Sequence, residues 1–289
     1  MKRKGIQPPS TALHLGERIE KLSIKRQEII RPILEHPREY VLLSVRAMAK
    51  RLQTDPATIV RIVRGLGFGS YREFQRHLHE LSLAFATSLD TMQSGARDSS
   101  MPSHVADALE RDLKNLQGLK NSLDAQRLVA LAKRFHEARR IVILAGDLAA
   151  QLAHYLEYQI SLLGLPIFAA TSSGRILHLV RAVNKQDLVI AISFRRGLRQ
   201  TIEGAQQARA RGAYCVGISD TFLSPLAREC DEIFLTSIES TSFGASYAAP
   251  VALINALLAA VGQYRRSQTL AIVKEIAEEQ RKGSRWYNV

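Results

Sequence analysis

The chain has 289 residues, of which 46% are hydrophobic, so it is long enough for two domains and is not disordered throughout. No apolar run approaches the roughly 20 residues of a membrane-spanning helix, and the basic start of the chain lacks the apolar segment of a secretory signal. Only Cys215 and Cys230 are present, without metal-ligand spacing. We therefore expect no disulfide framework, no metal site and a cytoplasmic location.

The positive charge is concentrated near the start of the chain. The formal net charge is +13, and residues 1–80 carry 16 Lys and Arg against 8 Asp and Glu. A basic block beside a larger globular part indicates an anionic polymer as partner, although such a charge also serves solubility.

The first part of the chain is predicted to be helical. Residues 1–16 show no hydrophobic period and are expected to form a flexible basic tail. Apolar residues then recur at i+3 and i+4 spacing, which predicts a helical domain over 17–90. Pro32 either kinks one long helix of this domain or separates two short ones.

Two short helices joined by the turn "QTDP" lie within this domain. Ser44 is a candidate N-cap of the first helix, and Asp55 before Pro56 is a candidate N-cap of the second. This spacing is typical of a helix-turn-helix, whose second helix enters the major groove of DNA. A helical hairpin with solvated arginines is the alternative.

The side chains that point outward from these helices are the candidate DNA contacts. Arg61 can bind guanine or phosphate, Thr54 and Ser44 can donate to phosphate, and Arg72 adds sequence-independent attraction. The predicted DNA-binding residues are Ser44, Thr54, Ala57, Thr58, Arg61, Arg64 and Arg72.

The second part of the chain alternates helices with short apolar strands. The strands are predicted at 140–146, 165–170, 187–193, 213–219 and 232–237. This alternation predicts an α/β fold with a parallel sheet covered by helices on both faces. Ligands of such sheets bind beyond the carboxyl ends of the strands, where helix N-termini favour phosphate. The expected divisions are a linker with its helix at 91–124, an effector-binding domain at 125–265, and a C-terminal helix and tail at 266–289.

The segment "SVRAMAKRLQTDPATIVRIVRGLGFGSYREF" resembles the helix-turn-helix of RpiR-family bacterial transcription regulators. "DLVIAIS", "ARARGAYCVGISDTFLSPLARECDEIFLT" and "SFGASYAAPVALINALL" resemble a sugar isomerase (SIS) domain. The resemblance covers residues 17–265. It implies an N-terminal all-α helix-turn-helix domain followed by a parallel-sheet α/β/α SIS domain. It also implies a ligand-controlled repressor or activator that binds double-stranded DNA, self-associates as a dimer or tetramer, and responds to an effector that is often a phosphorylated sugar.

Two SIS motifs are altered in this sequence. The turn after the first strand is typically Gly-x-Gly-x-Ser, and here it keeps Gly146 but has Leu148 and Ala150 at the other positions. The turn after the third strand keeps Ser193 of the usual Ser-x-Ser-Gly-x-Thr but has Arg195, Arg196 and Leu198 at the other motif positions. These arginines either bind an anion by charge-assisted hydrogen bonds, or serve a subunit contact or internal salt bridge in a filled cradle, or lie in a solvated turn. The predicted effector-binding residues are Gly146, Ser172, Ser173, Ser193, Arg195, Arg196 and Thr201.

Enzymatic activity is not expected, and no cofactor is implied. An SIS isomerase needs a general base, and the candidates here, Glu239, Glu203 and His178, have plainer structural interpretations. Two alternatives to a ligand-sensing regulator stay open. One is a sugar-phosphate isomerase with a fused helical domain, and the other is a DNA-binding protein whose SIS domain only assembles subunits.

Overall fold

A computed structural model describes residues 18–19, 21–35, 37–84, 100–195, 197–222 and 224–282. The chain forms two compact units, Met1–Gly95 and Ala96–Val289. Arg196, the predicted tail 1–16 and residues 91–99 of the predicted linker lie outside the described residues. Within the described ranges, no helix is both long and apolar enough to cross a bilayer.

The first unit is helical, as the hydrophobic spacing predicts. Its described helices are α1 (Ile24–Glu35), α2 (Pro37–Tyr40), α3 (Val45–Arg51), α4 (Pro56–Gly65) and α5 (Tyr71–Ala84). Pro32 lies inside α1, which continues past it to Glu35. Met48 of α3, Ile62 of α4 and Phe74 of α5 are fully buried and form the centre of the core.

The second unit is a three-layer α/β structure. Its described helices are α6 (Met101–Ser122), α7 (Ala125–Glu137), α8 (Ala149–Ser161), α9 (Ser173–Arg181), α10 (Arg199–Ala210), α11 (Pro225–Glu229), α12 (Ala248–Tyr264) and α13 (Arg266–Lys282). The strands are β1 (Ile141–Leu144), β2 (Ile167–Ala170), β3 (Leu188–Ile192), β4 (Tyr214–Ser219) and β5 (Glu232–Leu235). The five predicted strands and the parallel sheet are confirmed.

The sheet has the order β2-β1-β3-β4-β5, and all neighbouring strands are parallel. Ile141 and Ile143 of β1 pack into the core that includes α7, α8 and α12, whereas Val142 and Leu144 pack toward α9 and α10. After β1 the chain forms β2 on one side of β1, and it then returns to form β3 on the other side of β1. The loops after β1 and β3 therefore lie side by side at the switch in strand order, which is where such folds bind ligands.

A buried carboxylate, Asp187, fixes the start of β3. It accepts hydrogen bonds from Arg139 Nε and Nη2 at 2.9 and 2.7 Å, from Arg140 Nε at 3.3 Å, and from the backbone N–H of Asn184 at 2.9 Å. Burial alone would raise the pKa of Asp187, but the Arg139, Asn184 and Arg140 donors outweigh it and hold the pKa below its ordinary value. The ionised carboxylate therefore joins β3 to the segment that enters β1.

We expect Asp187→Asn to lower the free energy of unfolding at pH 7 by about 2 kcal/mol, less than for a fully buried pair because Arg139 is half exposed. Since the pKa of Asp187 is lower in the folded chain, its stabilisation is complete above the unfolded pKa of about 4 and is lost as the pH falls through the folded value. Urea unfolding from pH 7 to pH 3 should show the two proteins converging at acidic pH. A difference in unfolding free energy between the two proteins that stays constant from pH 7 to pH 3 would contradict this role of Asp187.

Candidate functional site

Each of the two helices in the helix-turn-helix begins at one side-chain cap. Ser44 Oγ accepts a hydrogen bond from the backbone N–H of Ala47 at 3.2 Å, at the start of α3. Asp55 accepts from the backbone N–H of Thr58 at 2.8 Å and from its hydroxyl at 2.5 Å, at the start of α4. The Thr58 hydroxyl, followed by its backbone N–H, lowers the pKa of the Asp55 carboxyl, so the cap is ionised at neutral pH.

The turn between α3 and α4 has a constrained backbone. Gln53 has a φ of 52°, in the left-handed region that costs a residue with a side chain about 1–2 kcal/mol. The backbone N–H of Thr54 then donates to the carbonyl of Ala49 at 2.9 Å, which closes the turn onto α3. The angle between the two helices is thus set by this local geometry.

The predicted DNA contacts occupy different environments. Ala57, Arg61 and Arg64 are exposed on α4, and Arg72 is exposed at the start of α5. Ser44 is exposed, while Thr54 and Thr58 are half-buried. Because the Thr58 hydroxyl donates to Asp55, this residue has a capping role that the outward position on the helical wheel does not show.

The sequence analysis missed two residues that hold this motif. Tyr71 Oη donates to the carbonyl of Leu43 at 2.8 Å, and Gln75 Nε2 donates to the carbonyls of Leu43 and Val41 at 2.9 and 3.2 Å. Burial raises the pKa of Tyr71 to about 12, so its hydroxyl stays protonated as a donor. These bonds fix the segment before α3 to α5. Tyr71 lies in the "LGFGSYREF" string of the RpiR resemblance, which is the signal that could have found it, and Gln75 follows that string directly.

In the second unit, the loops after β1 and β3 approach each other closely. A Cβ placed on Gly146 would lie 2.7 Å from Leu198 Cδ1 and 2.8 Å from Gln200 Nε2, so a larger residue there would have to displace the ends of these two side chains. The side of the cradle next to the β1 loop is therefore filled by two side chains of the β3 loop and α10. This agrees with the loss of the second glycine and the serine from the usual motif.

Both loops contain a non-glycine residue in the left-handed region. Asp147 has a φ of 53° after β1, and Arg195 has a φ of 55° after β3. Gly197, with a φ of 71°, completes the turn of the β3 loop. Non-glycine residues in this backbone region cost about 1–3 kcal/mol each, and they cluster at ligand-binding and switch regions.

The β3 loop is bound to the end of β4 by a half-buried aspartate, Asp220. The backbone N–H of Arg195 donates to Asp220 Oδ1 at 2.8 Å, and the Ser219 hydroxyl lies 3.4 Å from the same oxygen. Burial raises the pKa of Asp220 above its ordinary value, and these hydrogen bonds oppose the shift. The sequence analysis did not identify Asp220, which is distant along the chain from Arg195.

Tyr247, just before α12, lies against the same loop. Its ring centroid is 5.3 Å from that of Phe194. Burial, together with the charges of Asp147 and Asp220, raises the pKa of Tyr247 to about 12, and the charge of Arg195 opposes this shift. The ends of β1, β3 and β4 and the start of α12 thus converge on one polar cluster.

Two buried donors in this cluster have no hydrogen-bond partner within the described part of the chain. They are Arg195 Nε and the hydroxyl of Thr201, a fully buried residue in the first turn of α10. Ser193, also buried, accepts from the backbone N–H of Leu198 at 3.2 Å through its hydroxyl. Since buried polar groups are nearly always paired, the two unpaired donors are candidate contacts for a ligand.

The other predicted effector contacts follow the edge strand β2. Ser172 and Ser173 are exposed, and Ser172 Oγ caps α9 by accepting from the backbone N–H of Arg175 at 3.4 Å. The structure thus brings Gly146, Ser193, Arg195 and Thr201 to the switch in strand order. Arg196 lies outside the described residues.

The candidate general bases lie in ordinary surroundings. Glu239 accepts from Arg111 Nη1 at 2.8 Å, with both side chains about half exposed. Glu203 on α10 and His178 on α9 are exposed. None of the three is the buried carboxylate or imidazole that proton abstraction from a sugar favours.

Comparison with known proteins identifies both units. A helix-turn-helix domain model of the rpiR family matches residues 10–84, and an SIS domain model matches residues 134–260. An HTH-type transcriptional regulator of Haemophilus influenzae is 24% identical over 226 residues, covering 76% of this chain and 77% of its own length.

Solved structures show the same fold. The sugar isomerase domain of an RpiR transcription factor from Sphaerobacter thermophilus is 22% identical and has a TM-score of 0.58, covering 62% of this chain and 99% of that chain. NanR of Vibrio vulnificus, solved in complex with ManNAc-6P, is 19% identical and has a TM-score of 0.57, covering 95% of this chain and 100% of its own. The chain belongs to the RpiR family of transcription regulators, in which a helix-turn-helix domain precedes an SIS domain.

Proposed function

We propose that this cytoplasmic regulator binds a small anionic metabolite, a sugar phosphate or a related carbohydrate derivative, at the loops after β1 and β3. The observation that carries the proposal is the pair of unpaired buried donors, Arg195 Nε and the Thr201 hydroxyl. A buried donor without a partner costs about 1–3 kcal/mol, and a ligand oxygen recovers that free energy. The ManNAc-6P complex of NanR supports the carbohydrate phosphate class.

The ligand's anionic group would lie on the β3 side of the cradle. Leu198 and Gln200 already contact Gly146 on the β1 side, which leaves less room there than the usual motif provides. Arg195 supplies a charge-assisted donor, and the first turn of α10 supplies the positive end of a helix dipole next to Thr201. This arrangement replaces the missing hydroxyls of the usual motif with one cation.

The helix-turn-helix would bind an approximately palindromic operator as a homodimer or tetramer. Exposed Arg61, one turn into α4, reads a base edge, and Arg72 contacts phosphate. The ligand changes operator affinity only through its different affinity for two arrangements of the assembly, commonly 1–3 kcal/mol.

Contacts within the second unit join the ligand loops to α6. Tyr247, which packs on Phe194, is preceded by Ser246, whose hydroxyl bonds to Asp112 Oδ1 of α6 at 2.5 Å. Asn115 of α6 donates to the carbonyl of Glu239 at 2.8 Å, at the other end of the same segment. A shift of the β3 loop therefore acts on α6. This supports a role of residues 91–124 in coupling ligand binding to DNA binding.

The test uses the full chain, a duplex selected from a random pool, and a panel of sugar phosphates, with binding followed by fluorescence anisotropy. We expect one class of sugar phosphate to change operator affinity about 5–150-fold without being converted. Isomerisation of a sugar phosphate would favour the enzyme. An operator affinity that no member of the panel changes would favour an SIS domain that only assembles subunits.

We expect Arg61→Ala to abolish discrimination between the selected duplex and random DNA while leaving the fold intact, because the side chain contacts base edges. Arg72→Ala, the matched variant, should weaken binding to all duplexes and reduce the slope of log K against log salt by about one unit, as for one lost phosphate contact. Titrations at several salt concentrations measure both effects. Unchanged discrimination in Arg61→Ala would remove this residue from the base-reading set.

Thr201→Val removes the unpaired hydroxyl and keeps the shape of the side chain. The free protein should be as stable as wild type or more stable by about 1 kcal/mol, since the variant no longer buries an unpaired donor. Affinity for the sugar phosphate should fall about tenfold. Thermal unfolding and titration calorimetry test the two effects, and a loss of stability in the free variant would show that the hydroxyl has another partner.

Arg195→Gly removes the guanidinium and suits the left-handed backbone, so the loop keeps its conformation. We expect this variant to bind the operator normally and to lose its response to the sugar phosphate. Arg211→Ala, at the far end of α10, is the control and should respond as wild type does. A normal response of Arg195→Gly would exclude Arg195 as an effector contact.

A further inference from the structure

We propose that the effector carries a free primary amine as well as its phosphate, and that Asp220, Thr236 and Tyr247 form the pocket that binds the ammonium group. These three residues are called the amine pocket below. This inference rests on the proposed function and narrows the ligand class to an amino sugar phosphate whose amine is not acylated.

The amine pocket lies just beyond the ends of β4 and β5. The backbone N–H of Thr236 donates to the carbonyl of Ser219 at 2.9 Å, which continues the parallel register of the two strands by one residue. Asp220 and Thr236 are therefore neighbours. Since side chains alternate between the faces of a sheet, both lie on the face of Phe234, which packs into the core that includes α12.

Tyr247 borders the pocket at the start of α12. The register of β3 and β4 places Phe194 next to Asp220 on the same face, and the ring of Tyr247 packs on Phe194. Burial, and then the charges of Asp147 and Asp220, raise the pKa of Tyr247, so both carboxyl groups lie near its hydroxyl. The three side chains of the pocket thus come from three elements that meet at one point.

Thr236 supplies the observation that points to a ligand in this pocket. The residue is 3% exposed, and its hydroxyl has no hydrogen-bond partner within the part of the chain that the structure describes. Buried hydroxyl groups are nearly always paired. Neighbouring strands are about 4.8 Å apart, so a ligand group that binds the carboxyl of Asp220 also reaches this hydroxyl.

The charges around the pocket favour a cation. Asp147 is exposed, and neither Asp147 nor Asp220 forms a direct ion pair among the described residues. In the proposed function, Arg195 binds the anionic group of the ligand. That group is repelled by both carboxylates, whereas an ammonium on the same ligand is attracted by both and offsets the repulsion.

The acceptors of the pocket match a primary ammonium. An ammonium has three N–H donors and no acceptor, and the Asp220 carboxyl and the hydroxyls of Thr236 and Tyr247 each offer an oxygen. A sugar hydroxyl brings one donor and no charge, and an N-acetyl group replaces the charge with an amide. Burial raises the pKa of Asp220, and an adjacent ammonium favours its ionised form. Only the free amine makes this ion pair.

The test compares matched sugar phosphates by titration calorimetry on the full chain. Each set has one sugar and one phosphate position, with a free amine, a hydroxyl or an N-acetyl group at the same carbon. The sets cover the gluco, galacto and manno configurations. In at least one set, the free amine should bind about 10–100-fold more tightly than both analogues, as a hydrogen-bonded charge does.

The outcomes separate this inference from the proposed function. Sugar phosphates that bind without a preference for the free amine would overturn the amine pocket and leave the proposed function standing. If no sugar phosphate binds, both are wrong.

Asp220→Asn tests the pocket directly. The amide oxygen still accepts from the backbone N–H of Arg195, so the β3 loop keeps its conformation while the charge is lost. We expect the affinity for the amino sugar phosphate to fall about tenfold and the affinity for its hydroxyl analogue to stay within about twofold. Asp107→Asn, the same change at an exposed position of α6, is the control and should bind both as wild type does.

Thr236→Val gives a second measurement. It removes the unpaired hydroxyl and keeps the shape of the side chain, so the free variant should melt at the temperature of the wild type or higher. Its affinity for the amino sugar phosphate should fall about fivefold, as for one neutral hydrogen bond. A preference for the amine that persists in both Asp220→Asn and Thr236→Val would show that the amine binds elsewhere.

Discussion

The pairing of β1 with β2 on one side and with β3 on the other is the constraint on which the proposed ligand site depends. It places the loops after β1 and β3 next to each other at one edge of the sheet, while the helices that follow lie on opposite faces. The N-terminus of α10 lies at this edge, beside the loop after β1. Every group that we assign to the ligand is held by this arrangement, including the carboxyl of Asp220 that fixes the Arg195 backbone.

In the free protein, four groups of the proposed site are in unfavourable conformations or environments. Asp147 and Arg195 are held in the left-handed region, and the Thr201 hydroxyl and Arg195 Nε are buried without partners in the described part of the chain. The fold tolerates these costs because the buried sheet and the ion cluster at Asp187, at the opposite end of β3, stabilise it. A ligand that pairs with the donors is bound more tightly for this reason, and a regulator needs this difference between its free and bound states.

Helix α6 is joined to the loop after β3 by contacts within the second unit. It is bound through Asp112 and Asn115 to the segment before α12, which also contacts the β3 loop through Tyr247. In the function that we propose, these contacts carry a change at the β3 loop to α6.

The sequence by itself determined the elements and their kinds. Apolar runs of four to six residues between helical segments predicted all five strands, and Ser44 and Asp55 predicted the caps of the helix-turn-helix, because these signals depend on neighbours along the chain. The altered motifs after β1 and β3 also indicated a site with an arginine in place of hydroxyl groups.

Only the tertiary structure decided which side chains meet. Gln200 fills the space beside Gly146, Asp220 binds the backbone of Arg195, and Tyr71 holds the carbonyl of Leu43. The residues of each such pair are distant in sequence or lie in different loops, and no local pattern relates them. Strand order and helix docking determine these distances, and both follow from how the whole apolar surface is buried.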